Sequence, residues 1–261
     1  MKKLTVTIIT LNEEKKIKRC LDSVVPFADE IVVVDSLSTD STKDICATYS
    51  NLKFVEQKWL GYSEQKNLAN RIATYDWILS VDADEVISDE LKKSILKIKG
   101  NDSDDNVVFS FNRLNNYCGK WIHHSGFYPD KKIRIWNRNI GKWEGLIHEV
   151  IKFDRKVKEQ HLKGDLLHFS YSRPEDFEKQ LFKFAEMRAQ HYFEKGKKNA
   201  SLLSIVSPIY YFIQHYIIRL GFLDGKEGLT MCWVGAKATR HKYRKLKEIQ
   251  NLRNSEISEN K

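Results

Sequence analysis

Hydrophobic and polar positions alternate with two different periods over residues 1–90. Short runs rich in Val, Ile and Phe predict strands, and the polar segments between them carry apolar residues at helical spacing, such as Ile17, Leu21 and Val24. Strands that alternate with helices are typical of a parallel sheet covered on both faces. The predicted strands are Leu4–Thr10, Glu30–Asp35, Lys53–Glu56 and Trp77–Val81, and the predicted helices are Glu13–Val25, Thr39–Ser50 and Tyr62–Thr74.

The pattern changes in the second half of the chain. Strand-like runs separated by turns continue to Tyr171, and from Pro174 onward the apolar spacing is helical. We therefore predict an α/β domain over residues 1–172 and a helical extension over residues 173–261. The additional strands are Val107–Arg113, Lys132–Asn137, Leu146–Phe153 and Leu166–Tyr171, and the additional helices are Pro174–Lys195, Ser201–Leu220 and Leu229–Arg253.

The net charge of +9 is concentrated near the C-terminus. Residues 195–261 hold 13 Lys and Arg against 5 Asp and Glu, and part of this excess is the run Lys237–Lys247. An unusually apolar, Tyr-rich segment, Pro208–Leu220, precedes that run. Apolar helices beside basic side chains are typical of proteins that rest on an anionic membrane surface. The alternative is that this helix packs in the core of the protein itself.

Several classes of protein and site are disfavoured. The four cysteines lie far apart without a C-x-x-C pair, which argues against a zinc site and favours a reducing compartment. The N-terminal run is too short for a signal peptide, and no run of about 18 apolar residues predicts a spanning helix. Residues 1–60 contain no glycine, so a G-x-G-x-x-G dinucleotide site and a P-loop are disfavoured.

Two carboxylates follow the apolar strand that ends at Val81. Asp82 and Asp84 are two residues apart, and in extended backbone such side chains project to the same side. Paired carboxylates suit a hard divalent cation, Mg²⁺ or Mn²⁺, whereas a purely structural pair of like charges would repel. Ser88 is predicted to cap the next helix.

Polar residues also follow the first two predicted strands. Asn12 and Glu13 come after the first strand, and Asp35 ends the second. Each has a structural alternative, since Asn12 is a good helix cap and Glu13 suits the positive end of a helix dipole. Ligands of parallel sheets bind beyond the carboxyl ends of the strands. The presence of these polar residues at neighbouring strand ends therefore predicts a site for a base and a ribose.

These motifs together resemble family 2 glycosyltransferases of the GT-A fold, an α/β fold with a Rossmann-like nucleotide-sugar-binding sheet. Later blocks, at residues 132–136, 145–149 and 219–225, are similar to lipopolysaccharide-core glucosyltransferases. The motifs are Thr-Leu-Asn-Glu-Glu at 10–14, Asp35 with Ser-Thr-Asp-Ser-Thr at 38–42, Gln-Lys-Asn at 65–67 and Asp-Ala-Asp-Glu at 82–85.

The resemblance implies a role for individual side chains. In the family's pattern four residues would hold the uridine, one lysine would meet the diphosphate, and the acidic pair would serve ribose and metal. The uridine residues are Thr10, Asn12, Glu13 and Asp35, the lysine is Lys66, Asp82 bridges ribose and metal, Asp84 binds the metal, and His148 is an additional metal ligand. An exposed helix lysine remains the alternative for Lys66.

An inverting transfer is a single displacement, in which one carboxylate deprotonates the acceptor hydroxyl as it attacks the anomeric carbon. Glu149 is the predicted base, with Glu144 and Asp130 as rivals. A strand-end His-Glu pair without a catalytic role is the alternative for His148 and Glu149.

The predicted function is therefore transfer of a hexose from a UDP-sugar to a lipid-linked saccharide, with Mn²⁺ or Mg²⁺ as cofactor. The resemblance implies that the hexose is glucose and that the acceptor is the inner core of lipopolysaccharide. The expected location is peripheral, on the cytoplasmic face of the inner membrane. One alternative keeps the fold and transfers the sugar to a polyprenyl phosphate. The other is a nucleic-acid-binding protein, as the pI of 9.2 would allow, although no helix-turn-helix, zinc or RNA-binding signature is present.

Overall fold

A mixed β-sheet organises the chain in its computed structural model, which describes residues 3–101, 104–145 and 149–259, with side chains up to residue 253. The sheet order is β3-β2-β1-β4-β8-β6-β11-β5, with β7 beside β6, and β9 pairs with β10 separately. The strands are β1 (Leu4–Thr10), β2 (Glu30–Asp35), β3 (Leu52–Glu56), β4 (Trp77–Asp82), β5 (Glu85–Ile87), β6 (Val107–Tyr117), β7 (Lys120–Ile122), β8 (Asp130–Asn137), β9 (Gly141–Glu144), β10 (Val150–Phe153) and β11 (Lys158–Tyr171).

Helices follow the N-terminal strands and make up most of the C-terminal part. Between Phe212 and Gly225 the chain forms a π-helical segment, Ile213–Ile218, and a 3₁₀ turn, Gly221–Asp224. The α-helices are α1 (Ile17–Val24), α2 (Thr42–Ala47), α3 (Tyr62–Ile72), α4 (Asp89–Lys99), α5 (Pro174–Glu194), α6 (Ala200–Phe212) and α7 (Gly225–Glu259).

The N-terminal strands form the parallel part of the sheet, as predicted. β1 pairs in parallel with β2 and β4, and β2 pairs in parallel with β3. Residues 31–34 of β2 are fully buried, because a strand covered on both faces presents no polar side to water. Thr10 lies opposite Asp35, and Ile9 lies opposite Asp82. The carboxyl ends of these three strands therefore meet at one edge of the sheet.

The loop after β1 differs from the prediction. The predicted helix begins at Glu13, whereas α1 begins at Ile17. Asn12 does not cap α1, because its backbone is left-handed, with a φ of 53°, and its side chain binds a neighbouring loop. Ser88 does cap α4, since its hydroxyl accepts a hydrogen bond from the backbone of Leu91.

The antiparallel part was predicted less completely. The short strands β5, β7 and β9 were not predicted, and β11 is longer than the predicted Leu166–Tyr171. Asp84 lies in a turn between β4 and β5, not on the extended backbone that we expected. Of the predicted strand Leu146–Phe153, the part from Val150 onward forms β10, and residues 146–148 lie outside the described part of the chain.

The chain divides into two compact units. Unit 1 comprises the residues up to 114 and residues 130–169, and unit 2 comprises residues 115–129 and those from 170 onward. Unit 1 contains the buried sheet core, and unit 2 has a core of its own built on Tyr117, Ile122, Phe177 and Met231. The predicted domain boundary at residue 172 stays a prediction.

Within unit 2, α6 is apolar on the side that faces away from the protein. Leu202, Ile205, Val206 and Ile209 are each more than half exposed and share one face of the helix. The segment Ala200–Ile218, 19 residues with a mean hydropathy of 1.2, is long and apolar enough to cross a membrane by length and composition, and Ala200 is its only buried residue. The opposite side of α6 packs on α7, where Ala200 and Leu203 contact Tyr243 and Leu246.

The backbone at Gly164 provides a test of the packing in unit 1. Its φ is +93°, and a Cβ there would lie 2.2 Å from the backbone nitrogen of Leu91. We expect Gly164→Ala to cost about 1–2 kcal/mol from the unfavourable φ and about 1–3 kcal/mol more from the collision with α4. Urea unfolding measures this difference in stability.

Gly61 is the matched control, because its φ is +95° and a Cβ there meets no atom within 4 Å. Gly61→Ala should show the cost of the φ angle alone. Equal losses in the two variants would contradict the close approach of β11 to α4.

Candidate active site

The loops that follow β1 and β2 are joined by hydrogen bonds. The backbone of Asn12 donates to the Ser38 hydroxyl at 2.7 Å, and Asn12 Oδ1 accepts from the backbone of Thr39 at 2.8 Å. The backbone of Glu13 donates to Thr42 Oγ1 at 2.9 Å. These bonds hold the polar residues of two neighbouring strand ends as one surface, which the strand pattern predicted.

Asp35 is buried at the end of β2. Its two carboxylate oxygens accept hydrogen bonds from the backbone and the hydroxyl of Ser38, at 2.7 and 2.5 Å. Thr10 is buried on the adjacent strand, and its hydroxyl makes no hydrogen bond with the described residues. An unsatisfied buried hydroxyl is costly, and a bound ligand that supplies a partner would remove this cost.

Glu13 is half-buried close to a lysine. Lys16 Nζ lies 3.6 Å from Glu13 Oε2 and 3.7 Å from Asp84 Oδ2, so one ammonium bridges the loop after β1 and the turn after β4. Burial raises the pKa of Glu13, against the opposing charge of Lys16. Lys16 therefore links the predicted uridine residues to the predicted metal residues.

Asp82 is held between two cationic side chains. Lys66 Nζ lies 2.9 Å from one carboxylate oxygen, and the guanidinium of Arg134 lies 3.2 Å from the other. Burial opposes ionisation of this carboxyl, but the charges of Lys66 and Arg134 outweigh it and hold the pKa of Asp82 well below its usual range. Asp82 is therefore ionised throughout the neutral range.

Lys66 is not the exposed helix lysine that formed the alternative interpretation. Its side chain is 7% exposed, and its ammonium lies 4.7 Å from the centre of the Trp143 ring. The cost of burying a cationic side chain is reduced by a neighbouring anion or aromatic face, and Lys66 has both. Its contact with a diphosphate stays a prediction.

Asp84 contacts a histidine that the sequence analysis did not identify. His168, on β11, places its Nε2 3.3 Å from Asp84 Oδ2, and both side chains are about one-fifth exposed. The available signal was weak, since His168 is a single histidine in a strand predicted only in part. The backbone of Phe169 donates to the carbonyl of Asp84 at 2.9 Å, which fixes β11 beside this turn.

The donor set at Asp84 fits a divalent transition metal. A carboxylate and an imidazole are ligands that Mn²⁺ accepts, whereas Mg²⁺ prefers oxygen alone. Among the described residues no three His, Cys, Asp or Glu side chains form a metal-binding group. The predicted ligand His148 lies outside the described residues.

A buried ion pair between Glu85 and Arg134 contacts Asp82. Glu85 is fully buried and Arg134 is 5% exposed, and their side chains meet at 2.9 Å. Glu85 also accepts a hydrogen bond from the backbone of Asp82 at 2.9 Å. We did not assign roles to Glu85 and Arg134 from the sequence, although an arginine within the apolar run Ile133–Trp136 was the available signal.

A cavity of about 540 Å³ within unit 1 adjoins this network. Its lining includes Lys66, Asp82, Arg134 and Trp143, together with the predicted base Glu149. Glu149 makes no ion pair with the described residues. The structure therefore brings the end of β4, the buried lysine of α3 and the carboxylate before β10 around one space.

The rival carboxylates are all engaged with cations. Glu144 is bridged by Lys142 and Lys152, both at 3.3 Å, and these contacts lower its pKa. Asp130 contacts Arg113 and Lys132, both at 2.9 Å.

Glu159, which the sequence analysis did not consider, also lines the cavity. The hydroxyl of Ser110 donates to it at 2.5 Å, and this bond, followed by Lys131, lowers the pKa of Glu159. A carboxylate with a lowered pKa is a weaker base, so Glu144 and Glu159 are poorer candidates for proton abstraction.

Comparison with known proteins identifies the family of this chain. Residues 5–164 match the model of glycosyl transferase family 2. An uncharacterized glycosyltransferase of Rickettsia typhi is 30% identical over 258 residues, which cover 95% of this chain and 88% of the relative. The lipopolysaccharide core biosynthesis glycosyltransferase LpsC of Rhizobium meliloti is 28% identical over 242 residues, covering 89% and 87%.

Among solved structures, residues 1–349 of S. aureus TarS in complex with UDP superpose with a TM-score of 0.48 at 19% identity, covering 95% of this chain and 91% of that one. The family model spans the parallel sheet, the acidic turn after β4 and the cavity that Asp82 and Glu149 share. This chain is α/β, has the GT-A fold with C-terminal helices, and belongs to glycosyl transferase family 2.

Proposed function

We propose that this family 2 glycosyltransferase transfers a hexose, with inversion, from a UDP-sugar to a saccharide carried on a lipid. The observation that carries the proposal is the cavity of unit 1, where an ionised Asp82, a buried Lys66 and the carboxylate of Glu149 surround one space. In this proposal residues 1–172 form the catalytic domain and residues 173–261 form the membrane-proximal extension.

The uridine is assigned to the surface formed by the loops after β1 and β2. Asp35 would accept from the base, and Asn12 and Glu13 border the same surface. Thr10 would gain a partner for its buried hydroxyl. Lys66 lies beside Asp82 at the cavity and would meet the diphosphate, because an ammonium has three donors and can serve a phosphate without leaving the carboxylate.

The metal site is assigned to Asp82 and Asp84, with His168 as a further ligand and Mn²⁺ as the preferred ion. These three described side chains do not form a metal-binding group as they stand, so binding of the ion would have to draw them together. A divalent cation bound there would stabilise the charge that develops on the leaving diphosphate. Lys16 Nζ lies 3.7 Å from Asp84 Oδ2 and would have to give way to the cation. His148 keeps its predicted role as an alternative ligand.

Glu149 is proposed as the general base. The acceptor hydroxyl must lose its proton as it attacks the anomeric carbon, and the carboxylate must face the space that the sugar occupies. Glu149 lines the cavity, whereas Glu144 and Asp130 are engaged by lysine and arginine side chains.

The acceptor is proposed to be the inner core of lipopolysaccharide and the sugar to be glucose. The similarity to LpsC over most of both chains supports the acceptor class. The outward apolar face of α6 supports a lipid-borne acceptor, because it provides a surface that fits a membrane and not water. Assays with lipid-linked saccharide and lipid phosphate acceptors distinguish this reaction from transfer to a polyprenyl phosphate.

The extension is proposed to lie on the cytoplasmic face of the inner membrane without crossing it. α6 packs on α7, with the Tyr211 ring against Gly235 and the Phe212 ring 6.1 Å from that of Trp233. A spanning α6 would take the adjacent Lys237 and Arg240 of α7 into hydrocarbon, at about 2.5–3.5 kcal/mol each. An orientation in the plane of the headgroups avoids this cost.

The first test of the site removes a predicted metal ligand. We expect Asp84→Asn to lower transfer by about 100-fold or more and to abolish the Mn²⁺-dependent rise in melting temperature that UDP produces. Asp89→Asn is the matched control, since Asp89 is exposed and contacts Lys92 on the same helix. An unchanged Mn²⁺-dependent shift in Asp84→Asn would contradict the assignment.

The second test addresses the base. Glu149→Gln should lower kcat by about 10²–10⁴-fold while the affinity for the UDP-sugar stays unchanged, because only the transition state needs the proton acceptor. Single-turnover kinetics and calorimetric titration of UDP separate the two effects. Glu144→Gln is the control, and loss of turnover in that variant but not in Glu149→Gln would transfer the role to Glu144.

The third test addresses the membrane surface. Ile209 is 58% exposed on α6, and Leu96 is 47% exposed on α4 in unit 1. We expect Ile209→Asp to weaken binding to anionic vesicles by about tenfold or more, since it removes an inserted apolar side chain, and Leu96→Asp to have little effect. Vesicle sedimentation measures the affinities, and similar losses in both variants would contradict the orientation.

A further inference from the structure

A basic groove lies in unit 2 where the chain passes from α5 to α6. It has a volume of about 800 Å³, and its walls come from the α5–α6 connection, the first turn of α6 and the last part of α7 whose side chains are described. Its lining contains four basic residues, Lys197, Lys198, Lys247 and Arg253, and no carboxylate. We call it the hinge groove.

The positive charge of the hinge groove is not compensated within the described part of the chain. None of its four basic side chains forms an ion pair with a described carboxylate. The pKa of nearby Lys242 is lowered, first by burial and then by the charges of Arg188 and Lys197. Positive charges that repel one another without an anion between them attract an anion from solution.

The connection that forms the groove is ordered by its own hydrogen bonds. The backbone of Lys197 donates to the carbonyl of Tyr192 at 2.9 Å, and its carbonyl accepts from the side chain of Gln250 at 2.7 Å. The guanidinium of Arg253 lies 5.4 Å from the centre of the Phe193 ring. The backbone polar groups of Lys197 are thus satisfied, and its ammonium remains available to a ligand.

The hinge groove opens beside the apolar face of α6. Leu202 belongs to both, because it lines the groove and is 61% exposed at the start of that face. From Leu202 the face continues through Ile205 and Ile209. A soluble phosphate or a nucleic acid would use only the charges, whereas a phospholipid presents a phosphate and a hydrocarbon surface side by side.

We propose that the hinge groove binds the phosphate headgroup of an anionic phospholipid and so sets the depth and orientation of α6 on the membrane. The proposal rests on the membrane-surface part of the proposed function and is independent of the sugar donor and the catalytic residues. It differs from diffuse attraction by the Lys237–Lys247 run, because it assigns the headgroup to a defined set of side chains.

The test uses the full chain and vesicles of phosphatidylcholine with or without phosphatidylglycerol. Lys197→Gln/Lys198→Gln removes two charges from the groove, and Lys179→Gln/Lys183→Gln removes two charges from exposed positions on α5 that do not line it. We expect the groove variant to lose affinity for phosphatidylglycerol vesicles by about tenfold and the control by about threefold or less. The affinity for UDP and the melting temperature should be unchanged in both.

Each other outcome overturns a specific part of the proposal. Equal losses in the two variants would replace the groove with diffuse electrostatic attraction, while the membrane location would stand. Failure of the unaltered protein to bind phosphatidylglycerol vesicles would refute the membrane location itself. If the groove variant lost affinity for inorganic phosphate or a DNA duplex but kept its affinity for vesicles, the groove would be a site for those ligands.

Discussion

The buried pair of Glu85 and Arg134 is the interaction on which the active site depends. An isolated charge costs several kcal/mol to bury, so each of these side chains requires the other. Their partnership joins β5 to β8 and positions Asp82 through two contacts, a backbone hydrogen bond to Glu85 and an ion pair with Arg134. The orientation of Asp82 is thus determined by one fully buried carboxylate and by an arginine that also lines the cavity.

Carboxylates gathered at one edge of a sheet repel one another unless cations lie among them. In unit 1 those cations are lysine and arginine side chains: Lys66 and Arg134 lie beside Asp82, and Lys16 lies between Glu13 and Asp84. The same arrangement suits a ligand that brings its own charges. A bound diphosphate would attract the ammonium groups, and a divalent cation held by Asp82 and Asp84 would supply the positive charge that these carboxylates need.

Unit 2 has a buried apolar core, but one of its surfaces differs from that of a water-soluble helical bundle. The outward face of α6 is apolar, and basic residues, not mixed charges, line the groove at its start. Such a surface is unfavourable in water and favourable at an anionic leaflet, where apolar insertion and electrostatic attraction act together. The proposed catalytic residues lie in unit 1 and the proposed membrane surface lies in unit 2, so the substitutions that test the two proposals fall on different parts of the sequence.

The sequence by itself determined the parallel sheet, its α/β class and the strand ends that carry Thr10, Asp35 and Asp82. These features arise from local periodicity, and the edge they share follows from the geometry of parallel strands. It also identified the apolar segment before the basic run.

Only the tertiary structure decided which side of α6 faces outward, because helical spacing does not distinguish a buried face from an exposed one. Only the fold, too, brought Glu85, Arg134 and His168 to the acidic turn. The contacts join residues more than 45 positions apart in the sequence, and β5, which carries Glu85, is too short to show a periodic signal. No local pattern therefore encodes them.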